Sequence, residues 1–198
     1  MKAIEAQIFY KSLVETLTKY RIDLSERWDQ PANYTRFIMD VILPEVGKNL
    51  EMECYAANYY TLDCVYYEEC DLDHFRTDTT YVKYVAVALE HENFLTGSCV
   101  EMNKLQLFNT PLKVLITYSS PRQVSTWLTK YADIVRKADI FQDAATLRRQ
   151  LVVFGDKPGE FPIWRGFIYE PEGFLEIATA CDKVKSQAAG AATKSPES

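Results

Sequence analysis

Three acidic side chains stand where a soluble protein seldom puts them without a reason. The stretch KYVAVALEHEN, Lys83 to Asn93, runs through six consecutive apolar or aromatic residues, Tyr84 to Leu89, and ends abruptly in Glu90-His91-Glu92-Asn93. Such a run reads as a strand buried on both faces. Side chains alternate across a strand, so Glu90 and Glu92 project to one side, about 6–7 Å apart along it. Two carboxylates at the end of a buried strand repel each other and lose hydration, and a cation between them relieves both costs. The alternative is that the strand has reached the surface and both glutamates are solvated. The third acid is Asp63, between Leu62 and Cys64 in the strand-like run YYTLDCVYY. Strands deplete aspartate, so one there calls for an explanation. His91 alternates to the face opposite the glutamates and reads as structural, while Asn93 is either a hydrogen-bonding support or a turn residue.

The elements that would position these residues follow from periodicity. Residues 3–20 place Ile4, Ile8, Leu13 and Leu17 near helical spacing, and a loop containing Trp28 and Pro31 follows. Thr35 to Val46 reads as a second helix, with Gly47 as its stop and Pro44 as a point where it kinks or shortens. MECYAA and YYTLDCVYY read as two neighbouring strands joined near Asn58, and Glu68 to Thr80 as an acidic loop or hairpin connection. An EF-hand is excluded there, because no Gly stands at the turn and no distal Glu is in register. Ser98 with Glu101, and Ser120 with Gln123, match capping boxes, and Pro121 is suited to a first helical position. Between them LKVLITY, Leu112 to Tyr118, is another buried strand. Val124, Trp127, Leu128, Tyr131, Ile134 and Val135 then form a long apolar stripe expected to pack in the core. Asp143 to Gln150 reads as a short helix or turn, and Leu151–Gly155 and Pro162–Glu170 as further strands. The expected fold is α/β, a mixed sheet flanked by helices on both faces, over residues 1–182 as one domain, with 183–198 a disordered tail.

Bulk properties narrow the function. Hydrophobic content of 47% and charged content of 25% are those of a globular protein, and the 13 tyrosines suit a sheet-rich core. No apolar run approaches the ~20 residues needed to cross a bilayer, and the N-terminus carries acids and bases unlike a signal peptide. Five cysteines without a CxxC pair fit reduced thiols, so a cytoplasmic location is expected. The two histidines lack metal-ligand spacing. A net charge of −6 argues against a lone, avid DNA binder, since phosphate contacts dominate such affinity. The basic residues Arg21, Arg27, Arg36, Lys48, Arg148, Arg149 and Arg165 show no common face in their spacing.

The order helix, strand, strand, strand, helix, strand, with acids at these places, resembles the PD-(D/E)xK nuclease superfamily, the restriction-endonuclease-like fold. The resemblance covers roughly Thr35 to Tyr118. It implies that Asp63 is the second-strand acid and Glu90 the first acid of the third-strand pair, with Glu92 where a lysine usually stands. Leu62 replaces the proline that often precedes the first acid. The E-x-E variant remains compatible with cleavage. Other members move the lysine to the following helix, where Lys104 is the candidate; its alternative reading is an exposed lysine paired with Glu101. The implied function is a metal-dependent phosphodiesterase or nuclease using Mg²⁺ (or Mn²⁺), held by Asp63, Glu90 and Glu92, with Lys104 or the third carboxylate positioning water. By frequency within that superfamily DNA is favoured over RNA as the nucleic-acid partner. A homodimer or a partner protein is compatible, with the Trp127 and Trp164 regions as apolar surface. One rival is a catalytically degenerate binding or regulatory protein on the same fold. Another is an interaction protein of unrelated α/β fold, in which Asp63 and Glu90 would lie far apart.

Overall fold

A computed structural model describes residues 3–74, 80–140 and 149–178. The expected readings of Asp143–Gln150 and of the 183–198 tail therefore lie wholly or largely outside the described residues. The N-terminal region is helical: α1 (Ala6–Lys19), α2 (Arg21–Arg27), α3 (Pro31–Phe37) and α4 (Leu43–Leu50), the last two joined by a π-helical turn at Ile38–Ile42. This helical run starts at Pro31 and passes through Gly47 to Leu50, longer at both ends than Thr35–Val46. Pro44 explains the π turn. It has no amide hydrogen to donate and its ring crowds the preceding turn, so the helix widens and the Leu43 amide bonds to Ile38 oxygen instead.

The strands are β1 (Glu53–Tyr55), β2 (Cys64–Tyr67), β3 (Leu72–His74), β4 (Thr80–Val82), β5 (Val87–Glu92), β6 (Leu112–Tyr118), β7 (Gln150–Asp156), β8 (Ile163–Glu170) and β9 (Gly173–Glu176). Two helices, α5 (Ser98–Gln106) and α6 (Pro121–Ala138), separate β5 from β6 and β6 from β7. Seven strands form one mixed sheet in the order β1-β2-β5-β6-β7-β8-β9, and β3 and β4 pair as a separate hairpin. Thus the acidic segment is in part a hairpin. β1, β2 and β5 make an antiparallel meander; β5, β6 and β7 run parallel; β8 and β9 return antiparallel. A parallel neighbour requires a crossover, and α5 and α6 supply the two.

Alternation along the strands divides the core into two layers. Cys64, Tyr66, Val87, Leu89, Val114, Ile116, Leu151 and Val153 pack against α1 to α4, where Phe9, Leu13, Leu17, Ile42 and Val46 are buried. Val65, Ala88, Leu115, Val152 and Phe154 face α5 and α6, against Met102, Leu105, Val124, Tyr131 and Val135. The apolar stripe expected on α6 is thus a core face. Trp164 is buried among Trp28 and Tyr118 in the first layer, and Trp127 packs partly against Tyr131. No described helix is long and apolar enough to cross a membrane.

Gly166 in β8 marks the closest approach between the first helix and the sheet. A Cβ there would stand 2.6 Å from the Tyr10 ring, which is itself fixed by its hydroxyl donating to Trp164 oxygen at 3.1 Å. Overpacking a fixed ring of this kind costs ~1–3 kcal/mol. Gly166→Ala is therefore expected to lower the melting temperature by roughly 3–10 °C, measured by thermal circular dichroism. An unchanged melting temperature would show that α1 can shift away from the sheet.

Candidate functional site

β5 does not end at the surface. The strand continues through Glu92, and Glu90 is only 1% exposed, on the α5 side of the sheet opposite Leu115 of β6. Asp63 lies one residue before β2, just beyond the paired Cys64 and Leu89, so the two acids are neighbours across the strand pair. Asp63 Oδ2 accepts the backbone amide hydrogen of His91 at 2.8 Å, in place of the ladder partner that β2 has not yet begun to offer. The aspartate thus has a structural explanation for its place, and its charge still reaches Glu90.

Lys104 comes over from the second half of α5. Its Nζ stands 2.9 Å from Glu90 Oε1 and 2.5 Å from Glu101 Oε2, and donates to Thr61 oxygen at 2.9 Å. Lys104 pairs with Glu101 one turn earlier and also reaches the strand-end acid, and it is half-buried, not exposed. Glu101 is correspondingly not a capping residue. α5 starts after Gly97 with no side-chain cap, Ser98 donates its hydroxyl hydrogen to Leu95 oxygen, and the Glu101 carboxylate turns to Lys104. At Ser120 the helix start stands as expected, with Pro121 in its first turn, but the serine hydroxyl donates to the Gln123 side chain at 3.4 Å and accepts no backbone amide hydrogen.

Burial dominates the electrostatics of Glu90 and pushes its carboxyl up to about 9. The Lys104 hydrogen bond pulls it down, while the charge of Asp63 and a hydrogen bond with Glu101 add to the rise. Glu90 therefore carries its proton at neutral pH in the metal-free cluster. For Lys104, burial opposes the charge, but the hydrogen bonds to Glu101 and Glu90 outweigh it and raise the pKa. The cluster is then a lysine–Glu101 ion pair with a neutral carboxyl against it.

Glu92 lies on the same face but is engaged elsewhere. Its Oε1 accepts the Phe94 amide hydrogen at 2.6 Å, and its Oε2 fills the space beside Gly97, where a Cβ would come within 2.7 Å. Among the described residues, Asp63, Glu90 and Glu92 do not bring three ligand oxygens within 4.8 Å of one another; the group that does combine so is Glu68, Cys70 and Asp71 before β3. That group contains a thiol, a poor ligand for Mg²⁺, and none of the predicted ligands. The carboxylates around Glu90 offer hard oxygens, however, and Glu90 Oε2 is buried without a hydrogen-bond partner, while the Lys104 ammonium stands against Oε1. One or two carboxylates with retained waters suffice for Mg²⁺. Asp63, Glu90 and Glu101 do not form such a group either, so an ion there would rest on one or two carboxylates; Glu92, in this arrangement, stays with the turn.

His91 points to the other face, as alternation requires. It is buried, its Nε2 shares a hydrogen bond with the Tyr118 hydroxyl at 2.6 Å, and its ring stacks on Tyr34. Burial lowers its pKa to about 4, so it is neutral at physiological pH and unsuited to act as a general acid. Asn93 donates to the Thr35 hydroxyl at 2.5 Å and ties the strand end to α3. Two participants, Glu101 and the Thr61 carbonyl, were not singled out as site groups in the sequence. The three-residue spacing from Glu101 to Lys104 on one helix face was the available signal for the first. Comparison with family models, curated proteins and solved structures finds no match.

The raised Glu90 pKa carries a definite sign. The folded state holds a proton that the unfolded chain releases, so its stability is complete below about 4.5 and declines as pH rises through about 9. Glu90→Gln keeps the neutral form at every pH. Urea unfolding of both proteins is expected to converge near pH 4 and to show the variant progressively more stable toward pH 9. Parallel curves across that range would place Glu90 in a solvated setting.

Proposed function

We propose that the protein is a metal-dependent phosphodiesterase acting on nucleic acid, with DNA favoured over RNA as substrate. The observation that carries this reading is the meeting of Glu90, Lys104 and Asp63 at one strand end, contributed by three different segments. Support also comes from element order: a helix, a three-stranded antiparallel meander, a crossover helix and a parallel strand, the order of the restriction-endonuclease-like core. The migrated lysine of that superfamily corresponds here to Lys104 on α5. A third support is local. Asn58, Tyr60 and Thr61, leading into Asp63, all have positive φ, the last at 75°. A β-branched residue there is costly, and backbone strain of this kind gathers at functional sites.

Glu90 and Asp63, with Glu101 adjacent, would hold Mg²⁺ or Mn²⁺. A divalent ion at such a site polarises the phosphate and makes hydroxide available at neutral pH. The chain's own groups do the rest. Lys104 keeps one ammonium hydrogen on Thr61 oxygen and the other two toward Glu90 and Glu101, which fixes its direction; it would orient a water or a phosphate oxygen by releasing one of these carboxylates to a bound cation. Asp63, bonded to the His91 amide, sets the height of the strand end against the entering chain. The neutral His91, bonded to Tyr118, occupies the opposite face of the strand end. The degenerate-site reading finds its support in Lys104 itself, whose ammonium pairs with Glu101 and stands against the protonated Glu90.

Calorimetric titration with Mn²⁺ and cleavage of plasmid DNA and single-stranded RNA decide between them. The enzyme reading expects Glu90→Ala and Asp63→Ala to lose the Mn²⁺ heat. It also expects those variants and Lys104→Met to lower the cleavage rate at least ~100-fold. Wild-type protein that binds no Mn²⁺ and cleaves neither substrate would leave the degenerate binding protein.

A further inference from the structure

The carboxyl ends of the three parallel strands open onto a cleft that the acidic cluster does not use. Its inner part is a cavity of about 140 Å³ lined by Trp28, Pro31, Tyr34, Asn93, Phe94 and Tyr118. Four of these, Trp28, Asn93, Phe94 and Tyr118, also line a wider outer part. There the lining continues through the β5–α5 and β6–α6 loops to Gly155 and Asp156 of β7. In open α/β sheets this edge, beyond the carboxyl ends of parallel strands, is where ligands bind.

The lining selects a ligand chemistry. Drug-sized ligands occupy pockets of about 300 Å³ or more, so the inner cavity admits a single ring system. Its walls are aromatic, and Phe94 at the mouth is 67% exposed, an apolar ring offered to solvent beside a cavity. Polar groups remain available. Tyr34 is 2% exposed, and its hydroxyl, although close to that of Tyr118, makes no aligned hydrogen bond, while Tyr118 is engaged by His91. Asn93 uses its amide hydrogen on Thr35, and no described residue donates to its carbonyl oxygen. A planar heteroaromatic ring with donors and acceptors on its edge matches a slot of this size, aromatic on its faces and polar at its depth.

We infer that the cavity between Trp28, Tyr34, Tyr118 and Phe94 receives an unpaired nucleobase of a single-stranded nucleic acid. This rests on the phosphodiesterase reading and names the form of its substrate. Phe94 is four residues beyond Glu90, so the base seats at most about 14 Å along the chain from the acidic cluster. Net charge points the same way. A chain at −6 gains little from bulk phosphate attraction, so stacking on aromatic side chains would have to supply most of the affinity. Asp156 on the outer rim further disfavours a phosphate-led contact there. A base locked in a duplex cannot enter, which restricts the site to unpaired strands, and stacking makes it tolerant of sequence.

The test uses the full chain in EDTA, where no cleavage occurs, with a single-stranded DNA of about a dozen nucleotides and an abasic strand of equal length and charge. Binding is read by tryptophan quenching and by fluorescence anisotropy. The expected result is that the base-bearing strand binds at least tenfold more tightly than the abasic one. Phe94→Ala is expected to lose roughly ten- to a hundredfold in affinity with an unchanged melting temperature, since the ring is exposed. Tyr34→Phe, which keeps the ring, is expected to alter preference among the four bases. Equal binding of both strands, or a Phe94→Ala variant that binds as wild type, would overturn the assignment. So would competition by an aromatic peptide with no binding of DNA, which would give the cleft to a protein partner. Glu90→Ala separates the two readings. If wild type and Glu90→Ala both leave the strand uncut with Mn²⁺ present while Phe94→Ala loses the strand, the nuclease fails and the base site stands. If Glu90→Ala is inactive and Phe94→Ala binds normally, only the base site fails.

Discussion

A carboxyl group inside the sheet constrains this structure more than any other feature. β5 lies between β2 and β6, with helices over both of its faces, so its side chains are removed from water up to its last residues. Carrying that strand on through Glu90 places an ionisable group where an uncompensated charge would cost several kcal/mol. Two devices limit the cost: the carboxyl takes up a proton, and Lys104 descends onto it from α5. The second depends on topology. β5 and β6 are parallel, so the chain must return over the sheet, and the returning helix is the element that can lower a long cation onto the strand end.

The same strand separates two chemistries by simple alternation. Glu90 and Glu92 project toward α5 and α6, and His91 toward the N-terminal helices. On the first side charge gathers: Asp63, Glu101 and Lys104. On the second, rings gather: Tyr34, Tyr118, Trp28 and Trp164 meet largely edge to face around a neutral histidine. The aromatic side draws its members from the residue after α2 and from α3, β5, β6 and β8. A one-residue slip of β5 would exchange the faces and put a histidine among acids and a glutamate among tyrosines. Register here is held by the whole core.

Much of this was legible in the sequence, and the failures share a cause. The buried strands β5, β6, β7 and β8 and the helix α6 carry long uniform or periodic patterns, which local reading captures. Asp63 and Glu90 were expected on adjacent strands, and their neighbouring places follow from that pairing. Short or composite elements were missed. α2 has seven residues and one buried leucine, too few for a period to register. β9, four residues at the sheet edge with little burial, reads as loop. Gly47 does not stop its helix because it packs where a Cβ would come within 2.9 Å of Met52 oxygen, a requirement of tertiary contact. The two capping boxes show the same limit in side chains. Spacing establishes what Ser98 and Glu101 could bond to locally, but Leu95, Tyr131 and Lys104 compete for them, and those partners appear only when the chain has folded.

Lys104 also explains how a strained entry to β2 persists. The loop Asn58–Thr61 takes left-handed conformations at three non-glycine positions, and each costs ~1–2 kcal/mol. A free loop would relax. This one is held at its far end by Asp63 on the His91 amide and, two residues earlier, by the Lys104 ammonium on Thr61 oxygen. The acids, the lysine and the strained backbone are thus one mechanical unit, in which Glu90 and Glu101 position Lys104, Lys104 holds Thr61, and Thr61 delivers Asp63 to the strand end. Contributions within such a unit are not additive, because removing Lys104 both exposes the like-charge group and releases the loop. An isolated acidic pair would have no comparable hold on the backbone. The coupling of buried charge to backbone strain is what distinguishes this strand end from a solvated tip that happens to carry glutamates.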